Sequence, residues 1–227
     1  ARLAGVIFAQ LAEPLGMDIA DQPYLEAAAR LQDVGYLINY DQHHKHSYHL
    51  ILNSNLAGFR PRELELIANI ARYHRGASPK QKHANFRNLA PEDQTRVRQL
   101  AAILRIAGGL DRSHTQQVSD VTVRLSRDGD EVHEVELLAH AAENPEVDLW
   151  GARRRVEMFE EVFDCSVTVD WARLAETNGS PRGAKRTTRK SSSSGGSRSQ
   201  ASDSRSHAPR GNESTLRSIL PEPPGVS

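Results

Sequence analysis

Apolar positions recur at helical spacing through the first half of the chain and at strand spacing further on. Leu3, Val6, Ile7 and Leu11, with Gln10 among them, share one face of a helix that is expected to run to about Leu15 and close at Gly16. "DQPYLEAAARLQDVGYLI" predicts a second helix, with Asp21 as its N-cap, Pro23 in its first turn and Gly35 ending or bending it. The histidine run "HHKHS" predicts a turn that leads into a short helix over "SYHLILNS". In "RPRELELIANIARYHRG", Pro61 opens a helix, Leu64, Ile67, Ala68 and Ala71 line one face, and Gly76 stops it. "KQKHANFRNL" predicts a loop. "APEDQTRVRQLAAILRIAGGL" has acidic residues in its first turn, an apolar face of Val97, Leu100, Ala101 and Leu104, and Gly108-Gly109 near its end.

The period then changes. Val121, Val123 and Leu125 alternate, as do Val135 and Leu137, and Asp128-Gly129 between the runs signals a hairpin. "VDLWGARRRVEMFEEVF" predicts one helix with Leu149, Ala152, Val156 and Phe159 on a face, and "CSVTVDW" a short strand. Trp150 and Phe159 are expected in the core, and Cys165 as a buried small apolar residue. The fold class is therefore mostly α: a helical domain over residues 1–115, then a small β-β-α-β (α+β) subdomain over 116–177. Residues 178–227 are rich in Ser, Gly, Arg and Lys and are expected to be a disordered tail.

Charge alters the picture of function. The chain has 29 Lys and Arg and 29 Asp and Glu, but residues 178–227 hold nine of the basic residues and only three of the acidic ones. The tail is thus at +6 and residues 1–177 at −6, which argues against a general nucleic-acid binder, since such domains present a basic face to phosphates. Cys165 is the only cysteine, which excludes an intramolecular disulfide and a thiolate metal cluster and fits a reducing, cytoplasmic setting. No apolar run reaches the roughly 20 residues that span a bilayer, so no membrane partner is expected. The first helix has no N-cap before it, and the chain is expected to be a piece of a longer protein. "GxxxxGK" and "GxGxxG" phosphate loops are absent, and "SRDGDE" lacks the spaced ligands of a calcium loop.

Polar groups within otherwise apolar helical surroundings cluster in four stretches: "LQDVGYLI" with Asp33; "HHKHS" with His43, His44, Lys45 and His46; "ARYHR" with Arg72, His74 and Arg75; and "LRIAGGLDRSH" with Arg105, Asp111, Arg112 and His114. Their order resembles the C-terminal domain of the exopolyphosphatase and guanosine pentaphosphate phosphohydrolase family, over roughly residues 1–175. The resemblance implies an HD-type helical fold. Members of the HD superfamily hold a metal with an early histidine, a His-Asp pair and a later Asp. Here the pair reads Gln32-Asp33, and Ala107-Gly108 stands where Ala-Asp is usual. Of four expected ligands only Asp33 is present, so no HD-type metal site and no catalytic residue is expected in this chain. The family's hydrolysis of phosphoanhydrides is carried by an N-terminal actin-like region with a magnesium site, so magnesium is expected there and no cofactor here.

The cations support a different reading. Lys45, Arg72, Arg75, Arg105 and Arg112, interleaved with His43, His44, His46 and His74, suit phosphate oxygens, because guanidinium forks bind them bidentately. Arg72 and Arg75 are three apart and are expected on one helix side. The same cations can instead pair with Asp33, Asp41, Glu63, Glu65 and Asp111 to hold the helices in register. The expected partners are polyphosphate or a phosphorylated guanosine nucleotide, together with a second copy in a homodimer. Two alternatives stay open: an active HD-type phosphohydrolase with a rearranged metal set from His43, His44, His46, His74 and Asp111, and a ligand-free regulatory or dimerisation module.

Overall fold

The computed structural model describes residues 1–174. The expected disordered tail lies outside the described residues. Helices fill the first two thirds: α1 (Arg2–Leu11), α2 (Gln22–Leu31), α3 (His43–Leu52), α4 (Pro61–Arg72), the single turn α5 (Ala84–Arg87) and α6 (Pro91–Gly109). A 3-10 turn over Val34–Leu37 links α2 to α3. Strands β1 (Val118–Asp128) and β2 (Glu131–Ala141), helices α7 (Glu146–Arg153) and α8 (Glu157–Phe163), and strand β3 (Ser166–Arg173) complete the described chain. The mostly α fold followed by a small sheet is the class expected from the sequence.

The sheet order is β1-β2-β3, with β1 antiparallel to β2 through the predicted hairpin and β3 parallel to β2. Its buried face joins Val121 to Ala139, Val135 to Val167 and Leu137 to Val169, all pairs in register. Helix α1 covers the outer edge of β1. The Gln10 side chain accepts from the Val123 N–H at 2.9 Å and donates to the Val121 carbonyl at 2.8 Å, as a neighbouring strand would. One apolar core, from Leu3, Phe8 and Leu25 through Ile67, Leu100 and Ile103 to Val135 and Phe159, runs through both the helices and the sheet.

Four details depart from the sequence reading. The histidine run is not a turn but the first turn of α3, whose inward face is polar: His43 and Ser47, one helical turn apart, are both buried. "KQKHANFRNL" contains the short α5. "VDLWGARRRVEMFEEVF" is two helices, because the Arg155 N–H turns back to the Ala152 carbonyl at 2.8 Å and α8 starts afresh after Val156. Trp150 is 53% exposed, with Arg154 stacked over its indole, whereas Phe159 and Cys165 are buried as expected.

Candidate functional site

Two close backbone approaches build the site. At the first, the 3-10 turn lies directly on the start of α3. A Cβ on Gly35 would sit 2.1 Å from the His43 carbonyl oxygen and 2.6 Å from the Ser47 nitrogen, so only glycine fits. The Gly35 N–H donates to the Ser47 hydroxyl at 2.9 Å, and that hydroxyl donates to the Gln32 carbonyl at 2.6 Å. This latch fixes Asp33 beside His43. At the second, the end of α6 meets α7: a Cβ on Gly109 would lie 2.5 Å from the Ala152 Cα, and one on Gly151 2.6 Å from the Gly109 carbonyl and 2.8 Å from the Arg112 Cβ. That contact brings Arg112 and Arg155 to the same end of the molecule.

At the centre stand Asp33, His43 and His74. Asp33 Oδ1 is 3.2 Å from His43 Nε2 and 3.6 Å from His74 Nε2. The two imidazoles stack with centroids 5.5 Å apart, and His44 meets both edge-on. Burial pushes His74 down to about 3 and His44 to about 4, and the neighbouring imidazoles and Arg75 act in the same direction, so both rings are neutral near pH 7. On the far side Tyr36 packs on His43 at 3.9 Å between centroids, its ring tilted by 35°.

Around this centre lies positive charge. Arg75 Nη1 is 3.5 Å from His43 Nδ1. Arg155 is held below the usual guanidinium range first by burial, then by Arg112 and Arg75, with Asp33 working against them. Among the described residues, none of Arg75, Arg112 and Arg155 is ion-paired with a carboxylate. Arg155 was not singled out from the sequence, because only the apolar face of its helix was read there. The "RRR" run was its only signal there.

The remaining candidates serve other ends. Arg105 donates to the Tyr73 carbonyl at 2.7 Å and the Gly76 carbonyl at 2.8 Å, which caps the end of α4. Arg72 closes α4 and lies over the rings of Tyr48 and Tyr73 at 5.6 and 5.8 Å, whereas Arg75 is already past the helix end. The helical-spacing argument for that pair therefore does not apply. Lys45 is exposed and donates to Gln42, and His46 is outside the imidazole cluster.

Of the HD-type positions, Asp33 is in this cluster, whereas Gln32 and Gly108 face elsewhere. Gln32, Gly108 and Asp111 line one cavity of about 170 Å³, where Gln32 Oε1 and Asp111 Oδ1 have no hydrogen-bond partner. An amide and a carboxylate with no imidazole do not fit the ion that the HD resemblance implies.

The family model for domain III of Ppx/GppA phosphatases matches residues 1–149. The chain belongs to this family. A guanosine-5'-triphosphate,3'-diphosphate pyrophosphatase of Pseudoalteromonas translucida (strain TAC 125) is 42% identical to it over 53 residues. That match covers 23% of the chain and 11% of the relative's length. Among the described residues, no helix of this family member is long and apolar enough to cross a membrane.

Proposed function

We propose that this Ppx/GppA domain binds a phosphate-rich linear anion, polyphosphate or a phosphorylated guanosine nucleotide, and serves as an accessory module to phosphoanhydride hydrolysis performed elsewhere in its parent protein. The observation that carries this reading is the convergence of Arg75, Arg112 and Arg155, from three separate segments, without carboxylate partners among the described residues. Three unpaired guanidinium groups repel one another, and an anion with several oxygens relieves that repulsion while accepting forked hydrogen bonds. Neutral His44 and His74 line the same place without adding to the charge. Of the cations singled out from the sequence, Arg75 and Arg112 belong to this anion site, and Arg155 joins them.

The test is a polyphosphate titration of the full chain at low and moderate salt, against the Arg75→Ala/Arg112→Ala/Arg155→Ala variant. The expected result is binding that weakens with salt and falls at least about tenfold in the variant, with no phosphate released. Equal binding by both proteins would assign any affinity to surface charge and end this reading. Self-association is part of the proposal as well: Leu37, Ile38 and Tyr40 form an exposed apolar run beside the site, 84%, 56% and 76% accessible. Sedimentation of the wild type and a Leu37→Ser/Ile38→Ser variant tests it, a homodimer being expected only for the former.

A further inference from the structure

Asp33, His43 and His74 bring three electron-pair donors together, all within 4.8 Å of one another. The outer nitrogens of the two rings define the tautomers. His43 Nδ1 is 3.1 Å from the Tyr40 carbonyl oxygen and His74 Nδ1 is 2.7 Å from the Ala71 carbonyl oxygen. The Tyr40 carbonyl is nearer to His43 Nδ1 than the Arg75 Nη1 at 3.5 Å, and both carbonyls can only accept, so we take each Nδ1 to donate, which leaves a lone pair on each Nε2. Both lone pairs lie near one carboxylate oxygen, at 3.2 and 3.6 Å. That arrangement repels itself unless something positive sits among the three atoms. The His43 side chain is 1% exposed and its Nε2 finds no hydrogen-bond partner, which is uncommon for a buried polar atom. A proton on one ring would link that ring to Asp33 and leave the other lone pair unserved.

Two imidazoles and one carboxylate form the donor set of borderline divalent ions, and such ions are often held by three protein ligands with open positions left over. Donors about 2.1 Å from such an ion stand roughly 3 to 3.5 Å apart, close to the 3.2 and 3.6 Å that separate Asp33 from the two rings. The carbonyl groups that accept from each Nδ1 supply the outer contacts that orient metal-binding imidazoles.

We propose that Asp33, His43 and His74 form a site for one first-row divalent transition ion. It keeps Asp33 from the HD-type ligand set and replaces the other ligands with residues from α3 and from the turn after α4. The three ligands do not depend on the anion reading above; only the identity of a further ligand does. Arg75, Arg112 and Arg155 oppose added positive charge, and a phosphate group among them offsets that opposition and can supply an oxygen to the ion.

The experiment uses the full chain, stripped with chelator and titrated with Co²⁺ by visible absorption, without and with inorganic phosphate. One ion per chain is expected, bound more tightly with phosphate. His74→Gln and Asp33→Asn, checked for folding by circular dichroism, should weaken binding at least about tenfold, while His49→Gln and His133→Gln should not. Absence of a stoichiometric absorption change under both conditions, or retention of it in both triad variants, overturns the site. If those variants do not fold, Mn²⁺ broadening of wild-type imidazole resonances decides. Broadening of His43 and His74 first supports the site, and broadening of His49 or His133 first overturns it. Polyphosphate binding by the chelator-stripped protein tests the anion reading by itself, so either proposal can fail alone.

Discussion

The Ser47 hydroxyl stands between the Gly35 N–H and the Gln32 carbonyl, 2.9 Å from one and 2.6 Å from the other, and is fully buried. Ser47→Ala leaves both groups unserved in the interior, at a cost of about 1–3 kcal/mol. Gly35→Ala is harsher, since its methyl group would lie 2.1 Å from the His43 carbonyl oxygen and must push the turn off α3. Urea denaturation should show Ser47→Ala as a folded, weakened protein and Gly35→Ala as the less stable of the two. A Ser47→Ala protein as stable as wild type would mean the latch contributes nothing.

Arg105 belongs to stability rather than to anion recognition. Its guanidinium serves the Tyr73 carbonyl at the C-cap of α4 and the Gly76 carbonyl in the turn beyond it. Arg105→Met should lower stability by about 1–3 kcal/mol, read by denaturant midpoint, and leave polyphosphate affinity within about twofold. A large loss of affinity in a protein of unchanged stability would return Arg105 to the anion site.

The site was legible in part, and the misses have physical causes. Helix-opening prolines and apolar stripes identified α2, α4 and α6, because their buried faces are made of Leu, Ile, Val and Ala. Only the first turn of α3 was hidden, because the helix buries His43 and Ser47, which no hydrophobic period reveals. The break between α7 and α8 has no proline or glycine to announce it. Trp150 lies beside the apolar stripe of α7 but on its outer side, where Arg154 covers the ring. Nor can spacing along a chain show that residues 33, 43 and 74 meet, since that depends on how the turn after α2 packs on α3.

The histidine cluster makes stability depend on pH. His74 is pushed down to about 3 and His44 to about 4 by burial, whereas both titrate near 6.5 when unfolded. The unfolded chain therefore binds more protons below pH 6.5, and the stability present above that value is lost as pH falls toward 4. One such group contributes at most about 1.4 kcal/mol per pH unit. The hydrogen bond to the Ala71 carbonyl offsets part of it at His74, while His43, His44 and Arg75 do not. Denaturation of chelator-treated protein at pH 8, 6 and 5 should show the decline, and His74→Gln should flatten it. A wild type equally stable at all three values would place these rings in a wetter environment.

Asp148 links the scaffold to the arginines. It is 1% exposed, and it accepts from the Ser113 N–H at 2.7 Å and from the Ser113 hydroxyl at 3.0 Å, which fixes the chain just after Arg112. No cation pairs with it among the described residues, so its charge is stabilised by these donors and by the start of α7. Asp148→Ala removes both acceptors and should cost about 2–3 kcal/mol in denaturant midpoint, while Asp148→Asn retains one acceptor and costs less. Because Arg112 then loses its fixed place, polyphosphate affinity should fall in Asp148→Ala by a factor approaching that of Arg112→Ala, although no positive charge has been removed. Combining the two substitutions should add little to either, as expected for residues that act through one another. Full additivity in that cycle would show that Asp148 supports the fold alone and that Arg112 finds the anion without it.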